Sequence, residues 1–205
     1  MSTIPSPEEI VNAAMELSSI LTKAGVAHAI IGGAAVNMLG SNRLTEDVDI
    51  LVEPPAIQHR ELLLSSSNSF SMSELKLAYT SKSGAVIPIG ILEGGSKSFI
   101  RMPKLTNTPT LKVDKTPVVH PAMLVCMKIL RWGWMSDSTR PQSLAKAQGD
   151  FDDILSMLEL LAERGERIDF KGIDEDRIEG HMEYFRKLRS KSKRVDELLK
   201  MVLDK

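Results

Sequence analysis

Two aspartates two residues apart, Asp47 and Asp49, border and enter the β-branched run Val48 to Val52. On an extended chain, residues i and i+2 project from the same face, about 7 Å apart at ~3.3 Å rise per residue. The pair can therefore converge on a shared cation while Val48 and Ile50 face a core. Oxygen-only ligands that leave room for water and phosphate suit Mg²⁺. Two such ions roughly 3.5–4 Å apart can clamp the attacking and leaving oxygens of an in-line displacement. Upstream, Gly32-Gly33 follows the apolar run Ala27 to Ile31. A glycine pair between a strand and a helix start lets backbone N–H groups approach phosphate oxygens with no Cβ in the way. Arg43 and Thr45 add a cation and a hydroxyl just before the carboxylates. Singly, each feature is ordinary: a diglycine is usually a tight turn, Asp-x-Asp a solvated strand edge, a lone arginine a surface residue. Their order and close spacing favour a phosphate and metal chemistry.

The elements that must position these residues are legible from patterning. Ser6-Pro7-Glu8-Glu9 predicts a helix start, with Ser6 as N-cap, Pro7 at the first helical position and Glu9 closing a capping box. Ile10, Val11, Ala14, Leu17, Ile20 and Leu21 then recur at helical spacing, and Gly25 is the stop. Ala27 to Ile31 predicts a buried strand, Ala34 to Leu39 a brief helix ended by Gly40, and Val48 to Val52 a second strand closed by Pro54-Pro55. Ala56 to Leu64 reads as helix and Ser65 to Ser73 as loop. Leu75 to Thr80 and Ala85 to Leu92 read as a strand pair, with further short strands near Phe99 to Met102 and Thr116 to Val119. Pro88 implies an edge strand or a bulge. From Pro121 onward only helices are expected: Met123 to Trp132, Phe151 to Arg164, Ile178 to Lys187 and Val195 to Leu203, with a mobile loop over Ser136 to Gly149. The domain division expected is 1–119 and 120–205.

Composition limits the alternatives. Of 205 residues, 42% are apolar and 4% aromatic, and eleven methionines imply a core with much flexible aliphatic filler. With 26 basic and 27 acidic residues, no global field draws the chain to nucleic acid or membrane. A single cysteine, Cys126, excludes an internal disulfide framework and a multi-cysteine zinc site; in its apolar run it reads as a buried, inert thiol. The polar, acidic start and the lack of a long apolar stretch predict a cytoplasmic chain without a membrane span. His28 reads as structural and His120 as a turn residue, and the two tryptophans as packing for the helical half. Lys128 by spacing alone is a snorkelling lysine. The basic run Arg186 to Arg194 reads as a solvated face and is the local candidate for an RNA-binding patch.

Gly32-Gly33, Gly40, Arg43, Thr45 and Asp47-x-Asp49-Ile50 together resemble the signature of the DNA polymerase β-like nucleotidyltransferase superfamily. The closest sub-pattern is that of the minimal nucleotidyltransferases and the abortive-infection type toxins. Met127-Lys128-Ile129-Leu130 resembles the family's Met-Lys-Leu helix, and Asp150-Phe151-Asp152-Asp153-Ile154 its Asp-x-x-Asp-Ile helix start. The resemblance spans about residues 30 to 160. It implies an α/β (α+β) fold with a mixed sheet flanked by helices and a C-terminal helical region. It also implies Mg²⁺ or Mn²⁺ as cofactor, ATP or another nucleoside triphosphate as substrate, and nucleotidyl transfer to RNA (tRNA included), a protein or a small molecule. Asp47 and Asp49 would hold the metal; Gly32, Gly33, Arg43, Thr45, Lys128 and Asp150 would bind the nucleotide. Toxin-like relatives also work with a neutralising protein partner. One departure stands out: Gly90 occupies the position of the family's third carboxylate, often the general base. Glu93 would replace it if the strand is bulged; otherwise the chain is a nucleotide-binding module with little or no turnover. A blander alternative is an interaction protein whose Asp pair is coincidental.

Overall fold

The computed structural model describes residues 4–42, 44–95 and 102–203, and Arg43 lies outside them. The chain divides into two compact units, Met1–Val119 and His120–Lys205. In the first, α1 (Pro7–Lys23) begins with the expected capping box: Glu9 N–H donates to Ser6 Oγ at 3.3 Å and Ser6 N–H to Glu9 Oε2 at 2.9 Å. It buries Ile10, Ala14, Leu17 and Leu21 and ends at Gly25, whose φ of +71° suits a residue without a Cβ. β1 (His28–Ile31), α2 (Gly32–Met38), β2 (Val48–Val52) and α3 (Ala56–Ser66) follow. Next come β3 (Phe70–Ser73), β4 (Lys76–Thr80), β5 (Val86–Glu93), a 3₁₀ turn, β6 (Thr110–Val113) and β7 (Thr116–Val119).

These strands form one seven-stranded mixed sheet in the order β3-β4-β5-β2-β1-β7-β6. β2 runs antiparallel to β1 and parallel to β5, so it lies inside the sheet. Ile30, Ile50, Leu51 and Ile87 are fully buried, as inner strands with both faces covered require. The helices α1, α2 and α3 pack on this sheet.

Several expectations are corrected here. Part of the Ser-rich 65–73 segment is a strand, β3. Only Phe70 of it is buried, and Phe70 sits opposite Tyr79 of β4 with ring centroids 5.3 Å apart, edge to face. That cross-strand pair supplies what the local pattern lacks. β6 was not anticipated either; it pairs with β7 through a two-residue turn in which Asp114 and Lys115 both have positive φ, the geometry of a tight hairpin turn. Pro88 is neither on an edge strand nor at a bulge: β5 lies between β4 and β2, and pairing with β2 begins at Ile89, one residue later. The strand expected near Phe99 to Met102 falls outside the described residues apart from Met102, which lies in no regular element.

The second unit is helical: α4 (Pro121–Met135), α5 (Pro141–Arg164), α6 (Glu175–Arg189) and α7 (Lys193–Val202). Leu124, Ile129, Leu158, Leu161, Phe185, Leu188 and Leu199 form its core. Instead of a loop over 136–149, α5 starts at Pro141, with Pro at the first turn. Its first turns are mostly solvent-exposed, with Ala147 the first buried position. Their polarity therefore marks an outer helix surface. Gly165 closes α5 at φ +64°. No helix among the described residues is long and apolar enough to cross a membrane.

Candidate functional site

The antiparallel pairing of β1 and β2 sets Ile31 opposite Asp49. The next residue, Gly32, turns the chain into α2 at φ +70°, a conformation that favours glycine. Gly33 is buried within α2. On the other side of β2, parallel register sets Asp49 beside Gly90. The Asp49 carboxylate thus lies between two bare Cα positions. A Cβ on Gly32 would stand 2.9 Å from Asp49 Oδ2, and one on Gly90 would overlap Asp49 Oδ1.

Asp47 lies one residue before β2 and is exposed, while Asp49, the second residue of the strand, is half-buried. Thr45 is buried and its hydroxyl donates to Asp47 Oδ1 at 3.1 Å. The structure therefore brings Gly32, Gly90 and Asp49 together, and ties Thr45 to Asp47. The donor set fits a hard divalent cation that takes one or two carboxylates and fills its shell with water and phosphate. Among the described residues, no cluster of three or more Asp, Glu, His or Cys side chains could hold a metal by itself.

Glu93 is not in this site. The β2–β5 register runs unbroken from Val48↔Ile89 to Val52↔Glu93. With no bulge, a residue three past Gly90 points to the opposite face of the sheet. Its Oε1 instead accepts the Ala56 N–H at 2.8 Å. It thus satisfies an orphan donor at the start of α3, where Pro55 offers no side-chain cap.

Lys128 and Asp150 belong to the helical unit and form a buried ionic cluster there. Lys128, 5% exposed, places Nζ 2.6 Å from Asp153 Oδ2 and 3.5 Å from Asp150 Oδ1. Asp150 also accepts both Nε and Nη2 of Arg131, a two-pronged pair of the strong kind. Lys128 therefore does not snorkel to solvent. Its charge, like that of Asp150, already has close partners.

The other titratable residues noted in the sequence have partners within the fold. His28 donates from Nδ1 to the Val26 carbonyl at 2.8 Å, leaving Nε2 to accept from Ser18 Oγ at 2.8 Å. Burial lowers its pKa below the usual histidine value. His120 caps α4 by accepting the Ala122 N–H, and its Nε2 is 3.1 Å from Glu166. The Cys126 thiol is fully buried and pushed up to about 12, chiefly by desolvation and then by Asp169. In the basic run, Arg186, Lys187, Arg189, Lys193 and Arg194 pair with Glu179, Asp137, Asp196, Glu197 and Glu159. Trp132 packs in the helical unit, but Trp134 is 60% exposed.

Sequence reasoning saw Gly90 as a missing acid and overlooked that it makes room for Asp49. The available signal was a glycine inside a β-branched strand, which marks a bend, a bulge or a close approach.

Among solved structures, the chain is similar to an antigenic nucleotidyltransferase-like protein from Paracoccidioides brasiliensis. The two share 20% identity over 98% of this chain and 96% of that one, with a TM-score of 0.73. The chain therefore has the nucleotidyltransferase fold. More distant are ANT(2″)-Ia in complex with adenylyl-2″-tobramycin (10% identity, 88% and 97% covered, TM-score 0.47) and the Megavirus polyadenylate synthase (12%, 73% and 32%, TM-score 0.44). The match covers about a third of the synthase. No protein-family model matches the sequence, and no curated protein sequence does.

Proposed function

We propose that this chain transfers a nucleoside monophosphate from a nucleoside triphosphate to a hydroxyl acceptor and releases pyrophosphate, with Asp47 and Asp49 holding Mg²⁺ or Mn²⁺. The observation that carries this reading is the seat of Asp49 on an inner strand, beside the Gly32 turn that opens α2. A bound divalent cation would neutralise charge on the phosphates and on the leaving oxygen. The chain's own part is positioning. Gly32, where the chain turns into α2 at φ +70°, would present its backbone N–H to phosphate oxygens, with Gly33 following it in the same reading, and Thr45 orients Asp47. Arg43 belongs to the same reading as a phosphate contact. Lys128 and Asp150 do not, because their charges are committed to each other and to Arg131 and Asp153. In the reaction, the acceptor oxygen bonds to the α-phosphorus as the bond to pyrophosphate breaks. Pyrophosphate leaves with the electron pair, and the hydroxyl proton passes to solvent. The acceptor classes are RNA, tRNA included, a protein side chain, or a small hydroxylated molecule. A cytoplasmic setting and a neutralising protein partner go with this reading.

The test is incorporation of label from α-labelled nucleotides in the presence of Mg²⁺. Asp49→Asn should leave the thermal midpoint in place and reduce incorporation to background. Incorporation equal to that of the unmodified chain would sink the mechanism.

Gly90 favours a second reading, nucleotide binding without turnover, because no acid stands beside Asp49 on β5. Thermal stabilisation by nucleotide and Mg²⁺ with no pyrophosphate released across an acceptor panel would select it. Measurable release would exclude it.

A further inference from the structure

Gly90 lies inside Val86–Glu93, a strand of otherwise mostly β-branched and aliphatic residues. Glycine there gives up side-chain packing and adds backbone entropy to the unfolded chain. Its backbone does not require glycine, since Gly90 is not among the positive-φ glycines. Space does. A Cβ at this position would overlap Asp49 Oδ1 and stand 3.3 Å from Asp49 Cγ. Gly32 makes the matching demand from the other side, where a Cβ would be 3.3 Å from Asp49 Cβ. One carboxylate therefore rests across two bare Cα positions, one inside β5 and one at the turn into α2.

We propose that Gly90 is a positioning residue: its bare Cα lets the Asp49 carboxylate lie across β5 in the orientation that holds a divalent cation. This rests on the reading of Asp47 and Asp49 as cation ligands. It also turns the missing third acid into a steric consequence, because the volume an acid at position 90 would need is already filled by Asp49. An added methyl meets the flexible end of an aspartate rather than backbone, so the carboxylate swings aside while the fold survives. Adding an acid at position 90 therefore weakens the cation site, although it restores the number of carboxylates.

The experiment is Mn²⁺ titration by electron paramagnetic resonance, with a non-hydrolysable nucleoside triphosphate present. The unmodified chain is compared with Gly90→Ala, Gly90→Asp and Asp49→Asn, and crystal structures of the first two are determined. Gly90→Ala should bind Mn²⁺ about 10-fold more weakly, the scale seen when groups that orient a ligand are removed, with its thermal midpoint kept and the Asp49 side chain rotated. Gly90→Asp should bind no more tightly than Gly90→Ala. If Gly90→Ala binds like the unmodified chain, or leaves the Asp49 side chain where it was, the positioning role is overturned while the cation site stands. If the unmodified chain binds no Mn²⁺, both readings fall together. Should Gly90→Ala lose its fold, Asp49→Ala/Gly90→Ala decides: recovery of the thermal midpoint shows the defect acting through Asp49, and no recovery overturns the proposal.

Discussion

Within the helical unit, Lys128 Nζ and Asp153 Oδ2 meet at 2.6 Å with both side chains almost completely buried. Removing two charges from water is costly, and the attraction between them repays the cost only while both are present. Lys128→Met should therefore lower stability by about 3 kcal/mol in urea denaturation, since it strips a cation from two buried carboxylates. Combining it with Asp153→Leu should recover part of that loss, because an apolar pair of similar volume leaves no buried charge behind. This expectation separates a structural lysine from one that contacts phosphate: the effect appears in stability without any nucleotide. The family resemblance singled out Lys128 and Asp150 in two separate motifs, the second of which also contains Asp153. Spacing alone did not show that they face one another, because their partnership crosses from one helix to the next.

At the scale of elements, α4 and α6 meet where α4 carries a glycine. A Cβ on Gly133 would fall within the ring of Tyr184. That Cβ would meet Cγ and the near edge of the Tyr184 ring, atoms at the base of a stiff side chain that a small rotation does not clear. Gly133→Ala should cost about 1–3 kcal/mol through overpacking, despite the higher helix propensity of alanine. Chemical denaturation of Gly133→Ala alone and with Tyr184→Ala tests this: the second change should remove the clash and make the pair of costs non-additive. The elements most readily read from sequence were those with strong local signals. α1 has its capping box at Ser6 and Glu9, and β2 its β-branched run, and both appear where expected. β3 and the first turns of α5 were misread because each is polar on the outside. The information that forms them lies elsewhere, in Tyr79 for β3 and in the buried face that begins at Ala147 for α5.

For the whole molecule, pH dependence follows from groups in both units. His28 and His181 are held neutral by burial, with pKa values lowered from the usual histidine range. Below about pH 6.5 the unfolded chain binds protons that the folded chain refuses, so stability falls as the pH drops through that range. Glu9 acts at lower pH. Hydrogen bonds from Ser83, Ser6 and Ser81 hold its carboxyl down at about 2. Its contribution is present above the ordinary glutamate range and is lost as the pH falls from about 4.5 towards 2. Thermal midpoints measured from pH 7.5 to 5 should decline, and His28→Gln should flatten the decline. A flat profile for the unmodified chain would contradict the buried neutral histidines.

Much of the candidate site was determined by the sequence itself. A β-branched run predicts the strand that carries Asp49, and a diglycine after a strand predicts the turn at Gly32, so the meeting of these two was legible from order and spacing, whereas Asp47 lies one residue before the strand. Which residues stand beside Asp49 on β5 was settled only by tertiary pairing. Register between strands separated by some forty residues put Gly90 next to the carboxylate and carried Glu93 away to cap α3. Local sequence specifies the direction of a side chain along its own strand; the neighbour it meets depends on how distant strands align, and that alignment is set by burial over the whole sheet.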